Sequence, residues 1–197
     1  MPEALDRHSP LSVAQHAARG VRLAERSDLG KIDLRGDPSD RAFMTAVGRC
    51  LDVLLPTEPN SSAQKGSITV LWLGPDQWLI TCPAADHPRH IGSLREALAG
   101  RAAITDVIDA RVVIRLTGPN ARDVLAKGCP LDLHPRVFLP GSCAQTLLAK
   151  AAVLIHLTED DSFDVYVARS FAQYLWTWLE DAGLEYGLQV EPSVGSP

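Results

Sequence analysis

The stretch DVIDARVVIRLTGPNARDVLAKGCPLDLHP, from Asp106 to Pro135, places a strand, a turn and a helix in direct succession. Every second residue from Val112 to Leu116 is apolar, which is the period of a half-buried strand. Gly118 and Pro119 end this strand and begin a helix, because a first-turn residue does not need the amide hydrogen that proline lacks. The residues on one face of this predicted helix are Ala121, Val124, Leu125 and Gly128.

A similar arrangement occurs nearer the N-terminus. The residues Ile32–Leu34 predict a strand that ends at Gly36. Asp37 is the predicted N-cap of the next helix, with Pro38 as its first residue and Asp40 in its first turn, where the helix dipole favours a carboxylate. The predicted apolar face of this helix consists of Phe43, Val47, Cys50 and Leu51.

Each of these strand–helix units is followed by a predicted hairpin and a second helix. In the first half the hairpin covers residues 71–80 and the helix residues 90–98. In the second half the hairpin covers residues 154–167 and the helix residues 170–181. The order strand, helix, hairpin, helix therefore occurs twice, which is too few copies for a stacked solenoid. We predict an α+β domain built from two similar halves.

The predicted boundaries follow from this repeat. Residues 1–21 form an N-terminal extension, residues 22–100 the first half, residues 101–187 the second half, and residues 188–197 a flexible tail of turn-forming residues. Two irregular segments, Pro56–Gly66 and Cys129–Ser142, are predicted surface loops, because irregular backbone cannot satisfy its own hydrogen bonds. The second of these, rich in proline, faces either solvent or a partner.

Composition indicates a protein of the cytoplasm that binds neither nucleic acid nor a membrane. The apolar content of 46% is typical of a folded domain, and the formal charge of -5 with no basic stripe argues against nucleic acid. No apolar run approaches the ~20 residues that span a bilayer, and the N-terminus lacks the apolar region of a signal peptide. The cysteines have no C-x-x-C spacing and are predicted to be reduced core residues: Cys50, Cys82, Cys129 and Cys143.

Several side chains are candidates for a metal site, a nucleophile or a phosphate cradle. Cys129, Asp132, His134 and Cys143 lie close in sequence, but zinc ligands usually occur in tightly spaced pairs, and a buried cysteine beside solvated loop residues is the simpler interpretation. No spacing or local signature supports a nucleophile at Ser142 or Cys143 activated by His134 or His156.

The turn at Gly118 does not have the pattern of a phosphate cradle. Pro119 removes an amide donor from the position where a phosphate needs one, and neither a P-loop nor a dinucleotide fingerprint is present. A tight strand-to-helix connection is the favoured interpretation of this turn.

Aromatic residues on the last predicted helix suggest one core face and one candidate contact. Trp176 lies off the helical core spacing, so it is predicted either to contact a partner or to pack beneath the C-terminal tail. The predicted core face consists of Phe171, Tyr174, Leu175, Trp178 and Leu179.

Longer motifs are spread over nearly the whole chain, and the N-terminal ones are short. They are Ser9–Leu11, Leu34–Gly36, LGPDQWL at Leu73–Leu79, Asp109–Pro135, FLPGSCAQTLL at Phe138–Leu148, and RSFAQYLWTWLEDAGLEYG at Arg169–Gly187. These motifs resemble a known family, the gamma subunit of bacterial heterotetrameric sarcosine oxidase. That family is in turn similar to the folate-binding domain of aminomethyltransferases, and the resemblance implies two ferredoxin-like halves in that folate-binding-domain fold.

The resemblance implies a small non-catalytic subunit that supports a flavin-containing complex. Such a complex oxidises sarcosine to glycine, passes the one-carbon unit to tetrahydrofolate or releases it as formaldehyde, and forms hydrogen peroxide. The expected partners are the alpha, beta and delta subunits, which hold the FAD, FMN, NAD, tetrahydrofolate and zinc, while this chain holds no cofactor and has no catalytic residue. The residues predicted to contact the partners are Pro130, Leu131, His134, Pro135, Phe138, Pro140 and Trp176.

Three alternatives stay open at this point. One is the small subunit of a related N-methyl amino acid dehydrogenase, such as one acting on N-methylglutamate. Another is a stand-alone folate-binding one-carbon transferase, which the fold favours, although no position is assigned to the carboxylate of its pocket. The third is an interaction module with an unrelated partner.

Overall fold

A computed structural model describes residues 20–193, in which runs of two or three strands are separated by helices. None of the helices in this range is long and apolar enough to cross a membrane. In chain order the elements are β1 (Arg22–Glu25), β2 (Leu29–Gly36), α1 (Arg41–Leu51), β3 (Ser62–Lys65), β4 (Ile68–Gly74), β5 (Gln77–Pro83), α2 (His87–Ala97), β6 (Ala102–Asp106), β7 (Arg111–Thr117), α3 (Ala121–Ala126), β8 (Cys143–Leu148), β9 (Ala151–Glu159), β10 (Ser162–Ala168), α4 (Ala172–Gly183) and β11 (Gln189–Val190).

The strands form two sheets of matching topology. One sheet has the order β3-β4-β5-β2-β6 and the other the order β11-β1-β7-β10-β9-β8. The first four strands of the former and the run β8-β9-β10-β7 of the latter follow the same path through their halves. The α+β class with two similar halves is therefore confirmed. Each predicted hairpin is extended by a further strand, β3 or β8, and β3 lies inside the segment that the sequence assigns to a loop.

The two halves exchange strands across the boundaries that the sequence predicts. β1 pairs with β7 of the second half, and β6 pairs with β2 of the first. Val21 is fully buried and so belongs to the core; residues 1–19 of the predicted extension lie outside the described residues. In the predicted tail, β11 pairs in parallel with β1.

The helices begin at other residues than the sequence suggests. The N-cap of α1 is Asp40, whose side chain accepts a hydrogen bond from the amide of Ala42, whereas Asp37 accepts from Ser39 one turn earlier. α3 begins at Ala121, two residues after Pro119, and α2 begins at His87. Before α3 the amides of Gly118 and Asn120 bond to the carbonyls of Asp161 and Gly20, so the preceding turn is fixed by other segments of the chain.

The molecule has four layers, in the order helices, sheet, sheet, helices. α1 and α2 cover the five-stranded sheet around Trp78, and α3 and α4 cover the six-stranded sheet around Phe163. The other faces of the two sheets pack on each other. The apolar centre of this inner layer consists of Leu71, Leu73, Leu79, Val113, Cys143, Leu154 and Tyr166.

Candidate functional site

A polar cavity of about 350 Å³ lies between the two sheets, beside the apolar centre of the inner layer. Because both sheets contribute inward-facing side chains, the cavity is formed only when the two halves meet. Its principal polar lining residues are Arg26, Asp28, Thr69, Thr81, Arg115, His156, Thr158, Glu159, Ser162, Asp164 and Tyr166.

Two arginine–aspartate pairs form the charged wall of this cavity. Arg115 on β7 lies directly opposite Asp164 on β10, and its guanidinium donates two hydrogen bonds of 2.7 Å to that carboxylate. Arg26 donates two bonds of 2.7 Å to Asp28, and its Nη1 also lies 3.7 Å from Asp164. Two guanidinium groups are thus matched by two carboxylates, which is the condition for keeping such charges away from water.

The pKa shifts of Arg26 and Asp28 follow from the contacts between them. The hydrogen bond to Asp28 raises the pKa of Arg26 against the effect of its burial. Burial alone would raise the pKa of Asp28, but the hydrogen bonds and charge of Arg26 outweigh it and lower the pKa. Both groups are therefore charged at neutral pH.

His156 and Tyr166 form the uncharged side of the cavity. Burial lowers the pKa of His156 to about 4, so its imidazole is neutral at pH 7. Burial, assisted by nearby Asp164, raises the pKa of Tyr166 far above its usual value, and the phenol is hydrogen-bonded to Thr81. The Nδ1 atom of His156 is buried without a hydrogen-bond partner among residues 20–193.

The structure brings together one of the pairs considered from sequence as nucleophile and base. Cys143 on β8 lies opposite His156 on β9. However, the thiol of Cys143 donates to the carbonyl of Ser61, 3.2 Å away, and burial raises its pKa to about 11. A reactive cysteine needs its thiolate form, which this environment disfavours.

A serine also contacts His156, but its hydrogen bonds point away from catalysis. Ser62 Oγ donates to the carbonyl of Gly141 at 2.7 Å, so in its 3.2 Å contact with His156 Nε2 the hydroxyl oxygen accepts. The imidazole is the donor in this contact and cannot serve as the base for that hydroxyl.

The four residues weighed as metal ligands lie apart. Cys129 faces the core beneath α3 and α4, whereas Cys143 faces the layer between the sheets. Asp132 accepts a hydrogen bond from the amide of His134, whose Nδ1 accepts from Arg136. Within residues 20–193, no three His, Cys, Asp or Glu side chains are grouped in a way that could hold a metal ion.

The turn at Gly118 has amides that are already engaged. Gly118 donates to the carbonyl of Asp161, and Asn120 donates to the carbonyl of Gly20. Gly118 has a φ of 117°, and a Cβ there would lie 2.4 Å from the carbonyl oxygen of Gly20. The glycine therefore allows close packing on Gly20 and Val21, just before β1, in line with the structural interpretation of this turn.

The segment from Cys129 to Ser142, here called the proline loop, is irregular as predicted and carries most of the predicted contact residues. Arg122 holds it in place by donating to the carbonyls of Leu133 and Phe138. Phe138 is buried in the core under the loop, while Val137 and Leu139 beside it are 62% and 53% exposed. Among the predicted contact residues Leu131 is half-buried, and the exposed ones are Pro130, His134, Pro135 and Pro140.

A groove of about 630 Å³ runs between the proline loop and the segment that precedes β3. Its apolar side is formed by Leu131, Val137 and Leu139, and its other side by residues 58–62. Both halves of the chain therefore contribute to this surface.

The aromatic residues of the last helix are arranged differently from the prediction. Trp176 packs partly buried against the core, and Leu175 and Leu179 are fully buried as predicted. Phe171 and Tyr174, which the helical spacing assigned to the core, are 45% and 40% exposed. The helix starts at Ala172, so Phe171 precedes it and does not lie on the face that Leu175 and Leu179 bury.

A family model and individual relatives match this chain and have the same description. A sequence model described as the sarcosine oxidase, gamma subunit family matches residues 35–185. The sarcosine oxidase subunit gamma of Corynebacterium sp. (strain U-96) is 35% identical over 190 residues, which cover 91% of each chain. The subunit gamma from Arthrobacter sp. is 34% identical over 182 residues, covering 91% of this chain and 88% of the relative.

Solved structures agree with these sequence matches. A chain of the heterotetrameric sarcosine oxidase from Corynebacterium sp. U-96, in complex with pyrrole 2-carboxylate, superposes with a TM-score of 0.81 at 33% identity, covering 86% of this chain and 87% of that one. The glycine cleavage system aminomethyltransferase T of Bartonella henselae superposes with a TM-score of 0.62 at 16% identity, over 90% of this chain and 49% of that one. The second likeness shows that the fold is shared with aminomethyltransferases.

Proposed function

Because this chain belongs to the sarcosine oxidase gamma subunit family, we propose that it is the small, non-catalytic subunit of a heterotetrameric sarcosine oxidase. The observation that carries this proposal is the full-length likeness: 35% identity over 91% of both chains, together with a TM-score of 0.81. The partners in the proposal are the alpha, beta and delta subunits, in the cytoplasm.

The proposed complex converts sarcosine to glycine by oxidative demethylation. Its one-carbon unit passes to tetrahydrofolate or leaves as formaldehyde, and hydrogen peroxide is formed. FAD, FMN, NAD, tetrahydrofolate and zinc are held by the other subunits. A supporting role for this chain agrees with its chemistry, since the thiol of Cys143 has a pKa of about 11 and Ser62 directs its proton to a carbonyl.

The proposed docking surface is the proline loop with its groove. Its exposed apolar side chains, Val137 and Leu139, are held by a buried anchor, Phe138, and by the hydrogen bonds of Arg122. A fixed apolar surface loses little conformational entropy on binding, which favours tight association. Pro130, Leu131, His134, Pro135 and Pro140 surround this surface as further predicted contacts.

Co-expression tests the proposal directly. The chain, carrying an affinity tag, is produced with candidate alpha, beta and delta subunits, and the purified material is examined for flavin absorbance and for sarcosine-dependent hydrogen peroxide. We expect a yellow complex that contains all four chains in equal amounts. Recovery of the tagged chain alone, while the other three subunits assemble and oxidise sarcosine, would contradict the proposal.

Co-expression and a folate titration test the two alternative functions. Assembly with the subunits of an N-methylglutamate dehydrogenase, and not with those of a sarcosine oxidase, would favour the small subunit of that enzyme. The aminomethyltransferase-like fold and the polar cavity give a specific reason to test a folate-binding transferase as well. Isothermal titration calorimetry of the isolated chain with tetrahydrofolate is the test. Saturable binding with one site per chain would favour this second function.

A further inference from the structure

A second groove, of about 620 Å³, lies along the side of α4 that faces away from the sheet, and we call it the α4 groove. Its apolar residues are Tyr174, Trp178 and Leu184, of which Tyr174 is 40% and Leu184 69% exposed. Its charged residues are Glu180 and Asp181, and none of the described residues that line it is basic. The groove is therefore apolar in the middle and acidic at one border.

The aromatic residues of the α4 groove pack against neighbouring residues. Trp178 lies so close to Gly128 that a Cβ at this glycine would be 2.6 Å from its ring. Tyr174 is held edge-to-face against Phe171, with ring centroids 6.4 Å apart. Large aromatic side chains on a regular helix lose little freedom on binding, which is why they are frequent anchors of protein interfaces.

The acidic charge of the groove is not neutralised within residues 20–193. Neither Glu180 nor Asp181 forms an ion pair with another residue of this range. Lys127, at the end of α3, donates to the carbonyl of Ala182, pairs with Glu185 and lies 4.7 Å above the ring of Tyr186. Glu180 and Asp181 are therefore available to pair with a basic group of another molecule.

We propose that the α4 groove binds an amphipathic segment of a partner subunit that carries lysine or arginine. Apolar side chains of that segment pack on Tyr174, Trp178 and Leu184, and its basic side chains pair with Glu180 and Asp181. This is the pattern by which an amphipathic segment binds an apolar groove, with complementary charge fixing its orientation. The inference rests on the proposed function, because the segment belongs to an alpha, beta or delta subunit, and it adds a second contact to that of the proline loop.

Competition for assembly measures the contribution of the groove. Wild-type and variant chains with different tags are co-expressed with the other three subunits, and their ratio in the purified complex is compared with their ratio in the whole lysate. We expect Asp181→Lys and Tyr174→Ala to be depleted about tenfold in the complex. Glu96→Lys, which makes the same change of charge on α2 at the opposite side of the molecule, should enter the complex like the wild type.

The outcomes separate the two proposals. If the wild-type chain fails to assemble, the proposed function is wrong. If it assembles and both groove variants assemble equally well, the function stands and the groove proposal is wrong. Thermal unfolding of each isolated variant shows whether a depleted variant is still folded, and Asp181→Lys, at an exposed position, should unfold at the wild-type temperature.

Photo-crosslinking identifies the occupant. A benzoylphenylalanine replaces Tyr174 in the intact complex, and the crosslinked peptides are identified by mass spectrometry after irradiation. We expect one peptide of a partner subunit, with lysine or arginine beside apolar residues. Crosslinks to residues 1–19 of this chain, or to a second copy of it, would overturn the proposal.

Discussion

A row of polar side chains crosses three neighbouring strands on the inner face of the six-stranded sheet. Arg115, Asp164 and His156 lie opposite one another on β7, β10 and β9. Asp164 stands in the middle, buried, and Arg115 binds it with both guanidinium arms. At the scale of single residues, the negative charge of Asp164 therefore balances the positive charge of Arg115 and part of that of Arg26 in the cavity.

The first prediction concerns that carboxylate. Asp164→Asn should lower the free energy of unfolding by about 3 kcal/mol, because Arg115 and Arg26 lose their shared negative partner inside the molecule. Urea unfolding measures the change, and Asp160→Asn at an exposed position is the control. The double variant Arg115→Met/Asp164→Leu should lose less than Asp164→Asn, since it removes both charges; a larger loss would contradict this account.

The second prediction is a dependence of stability on pH that arises from His156. Its pKa is about 4 in the folded chain and near its usual value of 6.5 in the unfolded chain, so the unfolded state binds the additional proton between these values. Stability from this group is complete above pH 6.5 and is lost as the pH falls toward 4, by at most about 3 kcal/mol.

The measurement is the difference between wild type and His156→Gln. We expect the free energy of unfolding of the wild type to fall more steeply from pH 7 to pH 4 than that of the variant. His134→Gln, at an exposed position of the proline loop, controls for the removal of one imidazole. Parallel pH curves for the wild type and His156→Gln would show that His156 is not buried as a neutral group.

At the scale of elements, helix starts depend on which carboxylate reaches a free amide. Asp37 and Asp40 both precede α1, and the sequence pattern favours Asp37 as the cap because Pro38 follows it. In the structure Asp37 closes a turn with Ser39, and Asp40 caps the helix and also pairs with Arg101. The position of a cap is a matter of a few backbone angles, which residue types alone do not specify.

A comparison of two variants tests this assignment. Asp40→Ala should lower the melting temperature by a few degrees, because the first turn of α1 loses both its cap and an ion pair. Asp37→Ala should have the smaller effect, since it removes only a hydrogen bond within a turn. Circular dichroism during heating measures both, and a larger effect of Asp37→Ala would restore the assignment made from sequence.

At the scale of the whole molecule, exchanged strands join the two halves. β1 leaves its own half to pair with β7, and β6 pairs back to β2. A further link is formed where Ser62 donates its amide hydrogen to the carbonyl of Gly141. Because the proline loop and the segment before β3 meet at this link, the proposed docking surface depends on the correct assembly of both halves.

Assembly should depend on the exposed apolar side chains of the proline loop. Val137→Asp combined with Leu139→Asp should reduce recovery of the complex about tenfold, because charged side chains would replace the apolar ones of the proline loop. Leu54→Asp is the matched control, since Leu54 is 75% exposed at another surface. Equal recovery of the double variant and the control in pull-down of the tagged chain would exclude the proline loop as a docking surface.

The local elements and the family follow from the amino-acid sequence without the structure. Alternation from Val112 to Leu116 correctly predicted β7, and the turn residues near Gly74 correctly predicted the first hairpin. These features depend on neighbours along the chain, and so a short window of sequence contains them. The family likeness was also visible from the sequence, since it rests on runs of residues such as Phe138–Leu148.

The pairing of distant strands, and the cavity that this pairing forms, are seen only in the folded chain. The sheets are covered on both faces, so a period of two does not tell which face meets helices and which meets the other sheet. For this reason the sequence did not predict the exchange of β1 and β6, the polar cavity around Asp164, or the exposure of Tyr174. Strand partners and buried charges are set by contacts between residues far apart in sequence, and those contacts exist only when the chain is folded.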